Sequence, residues 1–446
     1  MSDGFPVLKE DIFFARIYTP HPETTIFNTT TQENFRSTPA TVALLELCTG
    51  AHSVEDIIDI LSEQSGESYK ELADKIRAFL EVLEEKDIIR IAEKKEKEEE
   101  KEEKKKKKDT VIKEIHLRYP LDTAQIEITN KCNLSCIHCF NDSGSAHPAE
   151  MTTEEVLSVI DELSSMGVHQ VTLTGGEPFV HPDIYTIIEH ARKAPMAVDI
   201  FTNGTLITKD TVKKISNFGV RRFNISVDSM DSSIHDEFRG KKGALQKTLH
   251  GISLLQKGGF AVKPVISLSQ HNKESIIDIL KYMKANTLTT FDVLPVRYSG
   301  RRVAGISVSP DEFFQVLQQI FEYIRSEFPE ARTEINEKTE ECSIARNSIG
   351  IKSDGTILPC PGCDKTMGIG TIRDTNIKEA WEISTELERI RLCTVQSDAV
   401  CSQCDYIQFC KGCIAGAHLA HAGLRCHDPY LCAQMRAYDT IFKLLK

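Results

Sequence analysis

The sequence predicts an α/β fold: six β/α units whose parallel sheet curves into a partial (β/α)6 barrel. A winged-helix-like module precedes it and a small cysteine-rich domain follows. Three observations predict this. Short β-branched runs alternate with amphipathic helical stretches between about residues 115 and 305. A low-complexity run, Glu93 to Asp109 (EKKEKEEEKEEKKKKKD), cuts off a short first segment. Ten of the fourteen cysteines fall between 342 and 432, in a region poor in long periodic segments.

The first module, 1–92, opens with two strand-like runs, Phe13 to Tyr18 and Thr25 to Asn28. Three helices follow. Pro39 suits a first turn with Thr38 as cap, and Gly50 suits the end of that helix. Ser53 caps the second, from Val54 to Leu61. The third sets Leu72, Ile76, Phe79, Leu80 and Leu83 on one face. Strands with three small helices make a winged-helix-like unit. Residues 93–114 read as a charged linker, because nothing in them builds a core. A basic binding patch is the weaker reading, since the glutamates dilute its field.

The barrel is expected over 115–334. Its strands are placed at Gln125–Thr129, Gln170–Thr174, Val198–Thr202, Arg222–Val227, Val262–Leu268 and Phe291–Pro295. The clearest helix runs Thr153 to Ser165. Thr152 and Glu155 form its capping box, and Val156, Val159, Ile160 and Leu163 its buried stripe. Active sites of such barrels lie at the C-terminal ends of the strands. The last region, 335–446, suits a domain folded around metal clusters rather than a large apolar core.

A formal net charge of -12 argues against nucleic acid as a partner, because phosphate binding needs Lys and Arg. No run of 18 apolar residues predicts a membrane span, and Met1 to Glu10 lacks the pattern of a signal peptide. The expected location is the cytoplasm, with no membrane partner. There, reducing conditions disfavour a disulfide framework, so clustered cysteines read as metal or iron–sulfur ligands. Cys48, alone, reads as a buried apolar residue.

Cys132, Cys136 and Cys139 directly follow the first barrel strand, in TNKCNLSCIHCF. Three thiolates this close on a loop hold three irons of a cubane cluster and leave the fourth iron open to a ligand. Zinc with a distant fourth ligand, His138 for example, is the competing reading. The spacing C-x3-C-x2-C followed by Phe140 resembles the radical S-adenosylmethionine (SAM) superfamily. Gly175-Gly176-Glu177-Pro178, ending the second strand, is similar to the family's GGEP element, which contacts the SAM amino group. Asn203 in Thr202-Asn203-Gly204, Ser226 and Asp228 in ISVDS, and Arg239 in FRG stand where relatives hold the rest of SAM. Ser226 also reads as a satisfied strand residue, and Arg239 as a surface ion pair. The resemblance implies reductive cleavage of SAM to a 5′-deoxyadenosyl radical that removes hydrogen from an unactivated C–H bond. A low-potential donor, flavodoxin- or ferredoxin-like, would supply the electron.

The C-terminal cysteines resemble the SPASM domain of peptide-modifying radical enzymes, which holds two auxiliary [4Fe–4S] clusters, three clusters in all. Cys342, then Gly355 and Cys360, then Cys401, Cys404, Cys410, Cys413 and Cys432 carry the likeness, with GTIRDTNIKEAW between them. By that resemblance Cys401, Cys404, Cys410 and Cys432 hold one cluster, and Cys342, Cys360 and Cys413 the other. Two departures stand out. Only two residues separate Cys410 from Cys413, where the usual pattern has three, and no cysteine stands just upstream of Cys342. The missing ligand is Cys363, Cys393 or Cys426, or that iron is open to a substrate thiolate. Structural zinc is the competing reading here too.

The stretch LLELCTGAHSVEDIIDIL, with the helix to Leu83, resembles the PqqD-like peptide-recognition domain. Such a module binds the leader of a precursor peptide, by an added β-strand beside a helix groove, with the strand at Thr25–Asn28 as the expected edge. A winged-helix DNA binder is disfavoured by the acidic composition. The function these likenesses imply is maturation of a ribosomally made peptide, preferably by a thioether cross-link. Carbon–carbon cross-linking, epimerisation, residue oxidation as in sulfatase maturation, and a non-catalytic iron–sulfur electron carrier are the alternatives.

Overall fold

The computed structural model describes residues 4–9, 12–18, 23–28, 31, 34–93, 113–301, 305–333 and 342–443; most of the charged linker, 94–112, lies outside them. The chain divides into two units. The first comprises 1–120 with 164–169 and 195–197, the second 121–163, 170–194 and 198–446.

In the first unit, strands Asn34–Ser37, Glu23–Asn28, Ile12–Tyr18 and Lys113–His116 form a sheet in that order. The first three pair antiparallel; Lys113–His116 runs parallel to Ile12–Tyr18. The strand at Thr25–Asn28 is therefore interior, and the expected edge is corrected to Asn34–Ser37 on one side and Lys113–His116 on the other. Both outer strands are four-residue segments without an alternating pattern, so the sequence concealed them. A separate ribbon pairs Phe5–Leu8 with Ile89–Ala92.

Three helices complete the unit: Pro39–Leu47, Val54–Ser65 and Tyr69–Glu85. Ser53 and Asp56 make a reciprocal capping box on the second. Ile76, Leu80 and Leu83 from the third meet Ile26, Val42, Leu45 and Ile57 in one core. Cys48 belongs to it, 1% exposed, its thiol donating to the Leu44 carbonyl; burial pushes that thiol up to about 12.

In the second unit, six strands lie side by side in chain order, all parallel: Thr123–Glu127, Gln170–Thr174, Ala197–Thr202, Arg222–Ser226, Ala261–Leu268 and Asp292–Pro295. Helices between them cover the sheet, Thr153–Ser165 among them with its expected cap and stripe. The first strand sits two residues earlier than its pattern suggested. Thr129 and Asn130 instead turn out to bind the Glu150 carboxylate. Beyond the first strand the sheet continues into the cysteine-rich region. Ser348–Ile351 adds parallel, followed by antiparallel Thr356–Leu358 and Gly370–Thr371. One continuous sheet thus carries both barrel and cysteine-rich hairpin. Among the described residues, no helix is long and apolar enough to cross a membrane.

Candidate active site and metal centres

A cavity of about 620 Å³ opens at the C-terminal ends of the barrel strands, with Thr174, Thr202, Ser226, Ser267 and Pro295 on its walls. Cys132, Cys136 and Cys139 line it from the loop after the first strand. That loop is held from several sides. Arg301, on the loop after the sixth strand, donates from Nη1 to the Cys136 carbonyl (2.7 Å) and from Nη2 to the Ser143 carbonyl (2.8 Å). Its own amide donates to the Cys139 carbonyl (2.8 Å). Ser135 and Ile137 donate their amides to the Arg239 and Phe238 carbonyls. Asn203 reaches Asn133 at 2.9 Å, and Asn133 reaches Thr205 at 2.8 Å.

The three thiols suit a cluster. The Ser143 amide donates to Cys139 Sγ at 3.2 Å, and Arg239 Nη1 lies 3.7 Å from Cys136 Sγ, so two of the sulfurs meet a donor that favours thiolate. Without metal, burial pushes Cys132 up to about 11 and raises Cys136, so binding iron must displace protons. His138 does not complete a zinc site. Its ring stacks on Phe238 with centroids 3.8 Å apart, and Nδ1 is buried without a hydrogen-bond partner. Burial and then Arg239 lower its pKa to about 3, so it is a neutral ring on the cavity wall.

Of the other expected contacts, Phe140, Gly175, Gly176, Asn203, Ser226 and Arg239 all line the cavity. Gly176 is glycine for a steric reason: a Cβ there would sit 2.2 Å from the Lys131 carbonyl oxygen. The amides of Gly176 and Glu177 donate to the carbonyls of Thr129 and Lys131, seating the second strand's end against the cysteine loop. Two of the expected residues lie outside that lining. Glu177 and Asp228 are absent from the lining, and both are fully buried. The Glu177 carboxylate accepts from Thr202 Oγ1 (2.7 Å) and from the amides of Asn203 (2.8 Å) and Phe179 (3.2 Å), joining the second and third strand ends. Asp228 accepts from Arg239 Nε at 2.6 Å and from the Ser267 amide at 3.0 Å. Burial opposes both charges of that pair. Even so, the mutual attraction holds Asp228 below the usual carboxylate range and Arg239 above its own. Arg239 is thus a buried cation at the cavity, not a surface ion pair.

Two supports had no signal in the sequence. Lys352, just past strand Ser348–Ile351, donates to Glu127 Oε1 and Asn141 Oδ1, both at 2.7 Å, and Asn141 donates to Glu127 at 2.7 Å. This buried triad ties the hairpin region to the cysteine loop. Arg297 binds Asp428 through both Nη atoms, at 2.9 and 2.7 Å, and lies over the Tyr430 ring. Both span more than 130 residues of sequence.

The same cavity is also lined by Cys342, Cys360 and Cys413. Amides of Gly362 and Gly416 donate to the Cys360 and Cys413 sulfurs at 3.4 and 3.3 Å. Cys401, Cys404, Cys410 and Cys432 form a second group. Burial comes first in raising Cys401, Cys410 and Cys432; the Asp398 carboxylate follows at Cys401, ahead of Cys432 and Cys410, and neighbouring thiols add at Cys410 and Cys432. Gly412 donates to Cys410 Sγ at 3.4 Å. The two-residue interval between Cys410 and Cys413 is spanned by Gly412 at φ 68°, which turns the chain from one group to the other.

Family models match three stretches: Radical SAM superfamily at 126–285, an iron-sulfur cluster-binding domain (SPASM) at 342–413, and Coenzyme PQQ synthesis protein D (PqqD) at 23–89. The AdoMet-dependent heme synthase of Methanosarcina barkeri is 30% identical over 331 residues, covering 68% of this chain and 94% of the relative. The antilisterial bacteriocin subtilosin biosynthesis protein AlbA of Bacillus subtilis is 25% identical over 380 residues, 82% of each. In fold, Streptococcus suis SuiB bound to precursor peptide SuiA superposes with a TM-score of 0.62 at 17% identity, over 96% of this chain and 99% of that one. Domains of these kinds hold a SAM-binding [4Fe–4S] cluster and auxiliary clusters. The chain belongs to the radical SAM superfamily, as an enzyme with the SPASM and PqqD-like domains of its peptide-modifying members.

Proposed function

We propose that this enzyme matures a ribosomally made peptide in the cytoplasm, installing a thioether between a cysteine and a carbon of the core peptide. The observation that carries the reading is the pairing of a PqqD-type module with one cavity lined both by the cysteine loop and by three of the C-terminal cysteines. The domain limits that go with it are 1–92, 115–334 and 335–446.

Cys132, Cys136 and Cys139 would hold three irons and leave the fourth for SAM. When bound, the cluster and SAM supply reductive cleavage and a hydrogen-abstracting 5′-deoxyadenosyl radical. Gly175 and Gly176 let backbone approach the ligand, while Asn203, Ser226 and Arg239 offer donors on the same wall. Val293, Val296 and Phe313 give apolar walls that exclude water from a reactive centre. The leader would add a strand beside Asn34–Ser37. A flavodoxin- or ferredoxin-like protein would supply the electron.

One observation favours a second reading. The M. barkeri relative is named for haem synthesis and aligns with 94% of its length, so a haem precursor is the alternative substrate. That alignment covers 68% of this chain, whereas the one with AlbA covers 82%. Anaerobic incubation with dithionite, SAM and the short peptide encoded beside the gene tests both. Expected are 5′-deoxyadenosine and a peptide lighter by two hydrogens per bond, with one cysteine thiol lost to alkylation. An unchanged peptide, alongside turnover of a haem precursor, overturns the maturase reading.

A further inference from the structure

The ten cysteines between 342 and 432 are two more than two cubane clusters require, and the cavity-lining set Cys342, Cys360 and Cys413 is one short of four. Three candidates remain for that place: Cys363, Cys393 and Cys426. Their positions separate them. Cys393 and Cys426 face each other, Sγ to Sγ at 3.5 Å. The Cys426 carbonyl accepts from the Cys413 amide at 3.1 Å, but its thiol is turned to Cys393 and Cys401. Its amide donates at 3.0 Å to Asp398, the carboxylate that also accepts from the Cys401 amide. None of the three candidates lines the cavity itself, so the neighbours of each thiol decide.

Cys363 stands elsewhere. It follows Cys360 by the turn Cys360-Pro361-Gly362-Cys363, closed by the Cys363 amide donating to the Cys360 carbonyl at 3.1 Å. A two-residue interval is short enough for both thiolates to reach one cluster, although, as Cys410 and Cys413 show, it does not by itself require it. The side chain is completely buried, next in sequence to the cavity-lining Cys360 and Gly362, and a Cβ on Gly362 would lie 3.7 Å from Ala415, on the helix that Cys413 caps. Its thiol hydrogen-bonds to Cys360 and feels Cys413; Cys413 in turn feels Cys342, and Cys342 feels Cys360. The four sulfurs therefore close a ring of neighbours. The ten cysteines divide into three at the cavity with Cys363 beside them, a set of four around Cys401, and one thiol pair.

The geometry points to Cys363 as the fourth thiolate of the auxiliary cluster held by Cys342, Cys360 and Cys413, leaving that cluster with no open iron. This rests on the proposed function and sharpens it. A fully ligated cluster accepts the surplus electron of bond formation but does not bind the substrate's cysteine sulfur. The dithiol Cys393/Cys426 stays free of iron.

The test uses the full chain with Cys132, Cys136 and Cys139 all replaced by Ala, so that only auxiliary clusters remain. Iron and sulfide per chain, Mössbauer spectra, and EPR of the reduced protein with and without added 2-mercaptoethanol are measured anaerobically. Expected in this background are two complete clusters and an EPR signal that the thiol leaves unmoved. Adding Cys363→Ala creates a site-differentiated iron whose signal moves with the thiol, while adding Cys393→Ala or Cys426→Ala changes nothing. A signal that moves with thiol while Cys363 is intact overturns the assignment, and so does a Cys426→Ala spectrum altered as Cys363→Ala should be. If Cys363→Ala does not fold, the thiol response of the Cys363-containing protein alone decides. These readouts need no peptide, so failure here is distinct from failure of the maturase reading.

Discussion

Glu177 and Arg239 show how a polar group fully enclosed by protein acts on a site it does not always touch. Glu177 takes three donors from two neighbouring strand ends. Removing the carboxylate as Glu177→Ala strands them, and each buried unsatisfied donor costs about 1–3 kcal/mol. The expected result is a clear fall in the urea midpoint, with cleavage of SAM impaired because Asn203 loses its anchor. An unchanged midpoint would show that water fills the place. Burial outweighs those donors and pushes the Glu177 pKa from 4.5 up to about 7. A raised folded-state pKa gives stability that is complete below pH 4.5 and declines as pH rises toward 7, because the folded state holds the extra proton. Glu177→Gln should flatten that segment of the stability–pH curve, measured by denaturant titration at several pH values. Arg239 presents the opposite case. Asp228→Asn leaves its guanidinium buried without a countercharge, and breaking such a pair costs about 3–5 kcal/mol. Loss of cooperative unfolding in that variant, or a lower midpoint, is expected; a midpoint equal to the parent's would mean the cation is solvated through the cavity.

At the scale of elements, the cysteine loop is shaped by residues far from it in sequence. Arg301 holds two of its carbonyls from 158 and 165 residues away. Such outer supports of a metal site typically matter by about 10–100-fold in affinity or activity. Arg301→Ala should therefore lower SAM cleavage by about that factor, with heterogeneous EPR from the first cluster and an unfolding midpoint nearly unchanged. Unaltered EPR would mean the loop needs no such brace. What the sequence revealed follows the same divide. Cys132, Cys136 and Cys139 are legible because they occupy eight consecutive positions, and Gly175-Gly176 because close backbone approach demands glycine locally. Arg301, the Glu127–Asn141–Lys352 triad and Arg297–Asp428 are invisible because their partners meet only through tertiary packing. Glu177 and Asp228 stood at the right places, but nothing in their neighbours tells whether a carboxylate faces a cavity or braces one. Strand order in the first sheet was hidden for another reason. NFRS and KEIH are too short to display a period of two, so the interior strand looked like an edge. The corrected edge makes its own prediction. In Asn34–Ser37, consecutive amides point to opposite sides, one toward Glu23–Asn28 and the next outward. Of Phe35→Pro and Arg36→Pro, one should unfold the module. The other should keep its thermal midpoint yet abolish leader binding in a fluorescence titration; equal effects from both would remove this edge as the docking strand.

At the scale of the whole molecule, the proposed function assigns the capture of a leader and the generation of a radical to two units with cores of their own. Lys113–His116 pairs with Ile12–Tyr18, so a fragment ending at residue 92 would expose a bare strand of the four-stranded sheet. Residues 1–120 should fold as a monomer with a sharp thermal transition, whereas residues 1–92 should melt lower or self-associate. Residues 121–446 keep every cysteine except Cys48 and the whole parallel sheet, so SAM cleavage should survive there while peptide modification falls. Joining two binding events in one chain raises the effective concentration of the second to about the millimolar range. Adding residues 1–120 in trans should therefore restore modification only well above the concentration at which the intact enzyme works, and only for peptide that bears its leader. If residues 121–446 alone modify that peptide at the full rate, the first unit has no part in presenting it. If they cannot cleave SAM, the two units do not divide the work as their separate cores suggest.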